Sequence, residues 1–401
     1  MAANPAFFPR PIRSVVSAHL DNAVHMAASL RDAHLGMETI AWLQVLCERL
    51  HDNLEGLRLA GEEGVRLARE AIEDEPEAAA VLAILLALDD PRPAWQLLAH
   101  PFAEVREWAN WGLRLAPHHP SLKGLQESYG FSAFDILAFH RAAVIMPSTS
   151  AGLPEEAAWF WLEGLGRSEL SFQSEDVAVY ATHERQQLRQ AAWRCAARRR
   201  MPELVSLCRM VAQRDDAAAA DAISFLGVIG SLEDLDLLQS AAAKRPTAKA
   251  ALLGIGKLGH LEAIPFLLET LAQSDLSEWA AGSIERIVGG KVPRGLPPPM
   301  PPHLTEDEMD VWEAVAPVDP EAAAHWWRSR KHLFVPGGRW QCGVCVSDQP
   351  LREVVFDNLP LTVRYDVYLR ERALVAGTPD WEMETWVWDQ KNVRGSRQPC
   401  R

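Results

Sequence analysis

Tyrosine is scarce in this 401-residue chain, at 4 residues, and the aromatics together reach only 8%. Cysteine is equally thin, with 6 residues at no framework spacing. That sets aside the small secreted folds that depend on dense disulfides and fits a reduced thiol inventory. Basic residues are short as well: 40 Lys and Arg stand against 54 Asp and Glu, a net charge of −14. Wrapping a nucleic acid requires a basic face, so no direct nucleic-acid partner is expected. No stretch offers the ~18 uninterrupted apolar residues of a membrane span. Over residues 1–30, Arg10, Arg13, His19 and Asp21 interrupt what would have to be the apolar core of a signal peptide. The expectation is a cytoplasmic protein with no membrane partner.

Catalytic signatures are missing too. There is no G-x-S-x-G, no H-E-x-x-H, no Walker loop and no kinase set. Acids are plentiful enough for acid/base work, but nothing singles out a pair. Cys342 and Cys345 form one C-x-x-C, half of what a structural zinc needs, and no second pair lies nearby. His325 and His332 would complete a site only in a favourable fold, so buried thiols on a helix or turn are the simpler reading. His118 and His119 sit between prolines in an interhelical turn. No catalytic residue, cofactor or metal is expected, and the chain is read as non-enzymatic.

The sequence is rich in alanine and leucine. Hydrophobic residues make up 48%, and runs such as "EAIEDEPEAAAVLAILLALDD" favour helix over strand. The segment "LLGIGKLG" contains Gly254, Gly256 and Gly259 in the order G-x-G-x-x-G. A dinucleotide site needs a strand before that motif and a βαβ unit around it, yet the preceding residues are "PTAKAALLG". A different relation accounts for these glycines. "AISFLGVIGSLEDLDLLQSA" from Ala222 superposes on "ALLGIGKLGHLEAIPFLLET" from Ala251 at an offset of 29 residues, Gly227 on Gly256 and Gly230 on Gly259. "AGSIERIVG", ending at Gly289, begins a third copy. Such a period marks a solenoid of helix pairs. Gly230, Gly259 and Gly289 are expected as positive-φ residues ending each first helix, and Gly254 as a coincidence. Fainter copies start at Ala80, Val105 and Leu188.

The expected fold is therefore all-α: a HEAT-like α-solenoid of stacked helix pairs with a C-terminal helical extension. It divides into a helical cap over 1–37, the repeat array over 38–288, a Pro/Gly linker over 289–302 and a helical region with a Trp-rich tail over 303–401. After the linker, helices are expected around "EDEMDVWEAVA", "EAAAHWWRSRKHLF", "PLREVVFDNL" and "LTVRYDVYLRERALVAG".

Exposed acids and tryptophans are the candidate contact residues. One acidic group comprises Glu62, Glu63, Glu70, Glu73, Asp74, Glu75 and Glu77. The other comprises Glu306, Asp307, Glu308, Asp310, Glu313, Asp319 and Glu321, the first five beside Trp312. Solvated helix faces and a partner-facing surface both account for such groups. The arginines of "WRCAARRR" read either as a solvated helix end or as an anion contact. Trp108, Trp111, Trp326 and Trp327 are either core between repeats or binding anchors.

The units "FLGVIGSLEDLDLL" and "GIGKLGHLEAIPFLL" resemble short bacterial HEAT-type repeats. The chain as a whole, with "RWQCGVCVSDQPLREVVFDNLPLTVRYDVYLRERAL" near its end, resembles a bacterial HEAT-like family found near type VI secretion spike and effector genes. That resemblance implies binding rather than catalysis. It points to an immunity protein that occludes a toxic effector, such as a nuclease with a basic surface. The alternative it allows is a scaffold or adaptor for assembling or loading a secretion spike.

Overall fold

A computed structural model describes residues 11–36, 38–117, 124–140, 153–297, 316–346 and 359–378, with 385 and 387. Among these the chain is all-α, apart from one short hairpin and two isolated bridges, and its helices stack in pairs. The helices expected around "EDEMDVWEAVA" and "PLREVVFDNL" lie outside the described residues. Those in "EAAAHWWRSRKHLF" and "LTVRYDVYLRERALVAG" are present as Pro320–Arg330 and Leu361–Leu374.

The fold comprises two compact units. The first takes the described residues within Met1–Val177, Pro360–Tyr365 and Pro379–Arg401. The second takes those within Ala178–Leu359 and Asp366–Thr378.

In the first unit α1 (Arg13–Leu35) packs on α2 (Ile40–Leu59), α3 (Glu62–Ala71) on α4 (Ala78–Ala87), and α4 on α6 (Ala103–Leu115), which follows the short α5 (Arg92–Trp95). Nearly every residue of α4 is apolar and buried, as in a helix surrounded by others. After α7 (Leu125–Tyr129), α8 (Phe134–Phe139) packs on α9 (Glu155–Arg167) around a fully buried carboxylate. Asp135 takes Arg167 at 2.8 Å, and Arg167 also reaches Glu163 at 2.8 Å. Removing one partner of such a network strands a buried charge, so the network fixes how α8 and α9 meet.

The second unit contains the repeat. It runs through α11 (Gln186–Arg198), α12 (Leu204–Ala212), α13 (Ala217–Ile229), α14 (Leu235–Ala242), α15 (Ala248–Leu258), α16 (Ile264–Thr270) and α17 (Ser277–Val288); the preceding α10 (Ser174–Ala178) belongs to the first unit up to Val177. Asp216 caps α13 by accepting from the Ala218 and Ala219 amides. The first helices of successive pairs stack, α13 on α15 and α15 on α17, and small residues permit it. A Cβ on Gly227 would stand 2.6 Å from Gly254 Cα, and one on Gly256 would stand 3.0 Å from Ser283 Cα. Gly254 is therefore no coincidence: it is the surface against which the previous repeat's glycine packs. One repeat further on, Ser283 plays the same part and donates to Leu252 O at 2.7 Å.

The expected turns hold at two of three positions. Gly259 (φ 76, ψ 17) and Gly289 (φ 73, ψ 152) both have positive φ, the first of them in the left-handed helical region, whereas Gly230 is extended (φ −69, ψ 175). At Gly230 a capping box between Ser231 and Asp234 opens the next helix directly, and Arg209 holds the same Asp234 at 2.6 Å. Past α17, residues 291–297 form no helix. Arg294 bridges to Val318 and grips Glu278 with two bonds of 2.8 Å.

Gly227→Ala tests the close crossing. Alanine favours a helix over glycine by about 1 kcal/mol, but here its methyl meets backbone, and overpacking costs about 1–3 kcal/mol. The expected result is a lower melting temperature for Gly227→Ala and a raised one for Gly282→Ala, where nothing lies within 4 Å. Thermal unfolding followed by circular dichroism reads both.

Candidate functional site

The last carbonyls of a helix have no donor within the helix and carry the negative end of its dipole. In the second unit, donors from residues 339–343 and 370–372 meet those of α11, α13, α15 and α17. Arg339 Nη2 donates to Val228 O at 3.0 Å and to Lys257 O at 2.7 Å. Gln341 Nε2 donates to Gly256 O and Lys257 O at 3.1 and 2.9 Å. Arg370 reaches Gly230 O at 2.5 Å, and Arg372 reaches Arg198 O at 3.0 Å.

Backbone amides complete the seam. The hairpin β1 (Trp340–Gln341) and β2 (Val344–Cys345) turns through Cys342 (φ 50) and Gly343 (φ 77). Positive φ at both central residues is the geometry of a two-residue type I′ turn. The turn aims two N–H groups at α17: Cys342 N donates to Arg286 O at 2.5 Å and Gly343 N to Ile287 O at 3.1 Å. Trp340 N meets Gly259 O at 2.7 Å. A Cβ on Gly343 would fall 2.7 Å from Val288 O, so the close approach requires glycine here.

A charged centre lies beside these bonds. Arg286 binds Asp366 at 2.6 Å and Gln341 Oε1 at 2.9 Å, while Lys257 Nζ sits 3.7 Å from Asp366 and donates to Ser224 Oγ at 3.3 Å. Burial pushes the Lys257 ammonium below its ordinary pKa; Asp366 opposes that shift and Arg286 adds to it. Burial also raises the Cys342 thiol, with Arg286 opposing, and raises the Cys208 thiol well above its ordinary value. Raised thiols disfavour the thiolate that nucleophilic or redox chemistry uses. Charged and amide groups here face carbonyls or one another, which is the chemistry of holding chain segments in register.

The sequence-predicted contact residues are scattered. Glu306, Asp307, Glu308, Asp310, Trp312 and Glu313 lie outside the described residues, as do His118 and His119. Trp111 is a core residue, 3% exposed, which removes it from the surface anchors. Trp108 is half-buried, edge-on to Trp111 with Arg31 4.3 Å from its ring. Trp326 is half-buried with Arg330 4.8 Å from its ring, and Trp327 packs on Phe334 at 5.6 Å. The structure does not bring these tryptophans together into one site. The C-x-x-C cysteines are not buried as expected: both are free, Cys342 part-buried in the hairpin turn and Cys345 exposed.

The arginine run of α11 is likewise no solvated helix end. Arg198 is 2% exposed. Arg200, left-handed at φ 54, donates to Arg372 O at 2.9 Å and Thr378 O at 2.7 Å. The seam residues Gln341, Asp366, Arg370 and Arg372 are what sequence reading passed over. A trace of them was present: "RYDVYLRER" places Arg364, Arg370 and Arg372 on a helix with buried apolar neighbours, an unusual density for a surface helix.

The first acidic group is the clearest charged surface. Glu62, Glu70, Glu73, Asp74 and Glu75 are exposed on α3 and the turn that follows it. Glu70 joins Glu63 on Arg66, while Glu62, Glu73, Asp74 and Glu75 form no ion pair among the described residues. Among the described residues, no three His, Cys, Asp or Glu side chains are placed to hold a metal ion. No protein-family model matches this sequence, and no curated protein is significantly similar to it.

Asp366→Ala would leave Arg286 and Lys257 without their carboxylate, an expected loss of about 3 kcal/mol, the lower range for breaking a buried pair. Lys257→Met should cost far less, because burial already disfavours that charge. A lowered lysine pKa means the unfolded chain binds more protons between the folded pKa and 10.5, so stability rises with pH across that window. Urea unfolding at several alkaline pH values should show this slope in the parent protein and its loss in Lys257→Met.

Proposed function

We propose that this chain is a non-catalytic, stoichiometric protein binder. In the form its sequence resemblance favours, it is an immunity protein that occludes the active site of a type VI secreted toxin. The observation that carries the reading is the exposed acidic surface on α3 and its following turn, Glu62, Glu73, Asp74 and Glu75, which form no ion pair among the described residues. Together with the net charge of −14, it suits a partner with a basic face, such as a nuclease whose cleft binds DNA. Opposite charge speeds encounter, and covering a cleft abolishes activity with no chemistry from the inhibitor.

Stacked helix pairs support the same reading, since they present large surfaces whose outward residues vary independently of the core. The seam supports it as well, because its polar groups are engaged with backbone.

The experiment is co-expression with the product of the adjacent gene, scoring both complex formation and cell survival. Protection with a stable complex is expected. Neither complex nor protection would refute the immunity reading, and a spike-component complex without protection would replace it with the adaptor role. In the cognate pair, reversing Glu73, Asp74 and Glu75 to lysine should slow association by about tenfold or more at low salt and flatten its salt dependence. Stopped-flow mixing at two ionic strengths measures this.

A further inference from the structure

Against the acidity of the whole, one segment of the second unit contains no acid at all. Between Glu321 and Asp348 neither Asp nor Glu occurs. Within it, Arg328, Arg330, Lys331 and His332 follow one another at the end of the Pro320–Arg330 helix, and all four are exposed. Beside them Leu333 and Val335 stand 64% and 67% exposed, flanking a Phe334 whose ring is turned inward. Phe334 packs on Trp340 at 4.8 Å and on Trp327 at 5.6 Å. Trp340 is buried in the hairpin that pairs with α15 and α17. The exposed aliphatics are thus mounted on a fixed aromatic stack. Trp326 sits half-buried beneath Arg330.

We propose that this patch is a peripheral docking site for an anionic lipid bilayer. Its parts are those an interfacial element uses: aliphatics that enter the acyl boundary, a tryptophan at headgroup depth, and cations that meet phosphates. No helix among the described residues is long and apolar enough to cross a membrane, so attachment would be from one side. Nucleic acid fits less well. The exposed Leu333 and Val335 gain nothing from phosphates, and the Trp327, Phe334 and Trp340 rings pack on one another rather than stand open for stacking bases. This inference is independent of the toxin-binding reading, which concerns the first unit's acidic surface.

The test is co-sedimentation of the full chain with phosphatidylcholine vesicles and with vesicles containing about a third phosphatidylglycerol. The expected result is binding to the anionic vesicles alone, weakened by added salt. Two paired variants separate the contributions: Leu333→Asp with Val335→Asp, and Arg328→Glu with Lys331→Glu. Each should reduce partitioning by about tenfold or more, because each removes one of the two signals stable attachment requires. Lys244→Glu with Arg245→Glu changes charge equally at another exposed site of the same unit and should retain most of the binding. Circular dichroism confirms that each variant is folded. Absence of binding, equal loss in the control pair, or unchanged binding in the aliphatic pair would overturn the proposal. So would tighter binding to single-stranded DNA that ignores Leu333 and Val335, which would make the patch a nucleic-acid contact.

Discussion

The second unit depends on how the carbonyls at the ends of its repeat helices are satisfied. In an ordinary helix pair those groups go to a glycine cap or to water. Here α11, α13, α15 and α17 end beside one another, and one set of arginines, a glutamine and hairpin amides answers them together. Most of these donors meet a last-turn carbonyl, on which the helix dipole concentrates negative charge, while Arg370 and the Trp340 amide meet Gly230 O and Gly259 O just past the helix ends. Arg339 spans two helices, accepting neither slip nor separation between α13 and α15. Residues 339–343 and 366–378 therefore belong to the repeat as much as the repeat helices do, although far removed from them in sequence.

Close packing makes that shared seam feasible. Gly227 against Gly254, and Gly256 against Ser283, bring the first helices near enough for one guanidinium to reach two helix ends. Larger residues at these crossings would move the carbonyls apart and loosen the hold of Arg339 on both helix ends. With its polar interior engaged in this way, the unit has its outward faces left for contact. The charge distribution over described surfaces is uneven: acidic on α3 and its turn in the first unit, and basic and aliphatic at residues 328–335 in the second.

Much of this was legible in the residues. The offset of 29 gave the helix pairs, and glycine at 259 and 289 gave two positive-φ caps, because periodicity and positive φ are local properties that sequence records directly. Gly230 escaped because Ser231 and Asp234 offered a competing capping box, and Gly254 because its partner lies in the previous repeat. The surface readings fared less well. Trp111 looks like Trp108 in sequence, three residues away on the same helix, and only packing tells that one is core and the other half-exposed. Arg198, Arg200, Arg370 and Arg372 carry the same difficulty: an arginine that caps a distant helix has the same spelling as one that faces water.

Native-state hydrogen exchange tests this account most directly. If the hairpin is integral to the repeat, the amides of Trp340, Cys342 and Gly343 should exchange as slowly as those in the middle of α15 and α17, and open only with them. Exchange of those three amides at near-unprotected rates, while α15 and α17 stay protected, would contradict it and reduce the hairpin to an accessory resting on a self-sufficient solenoid.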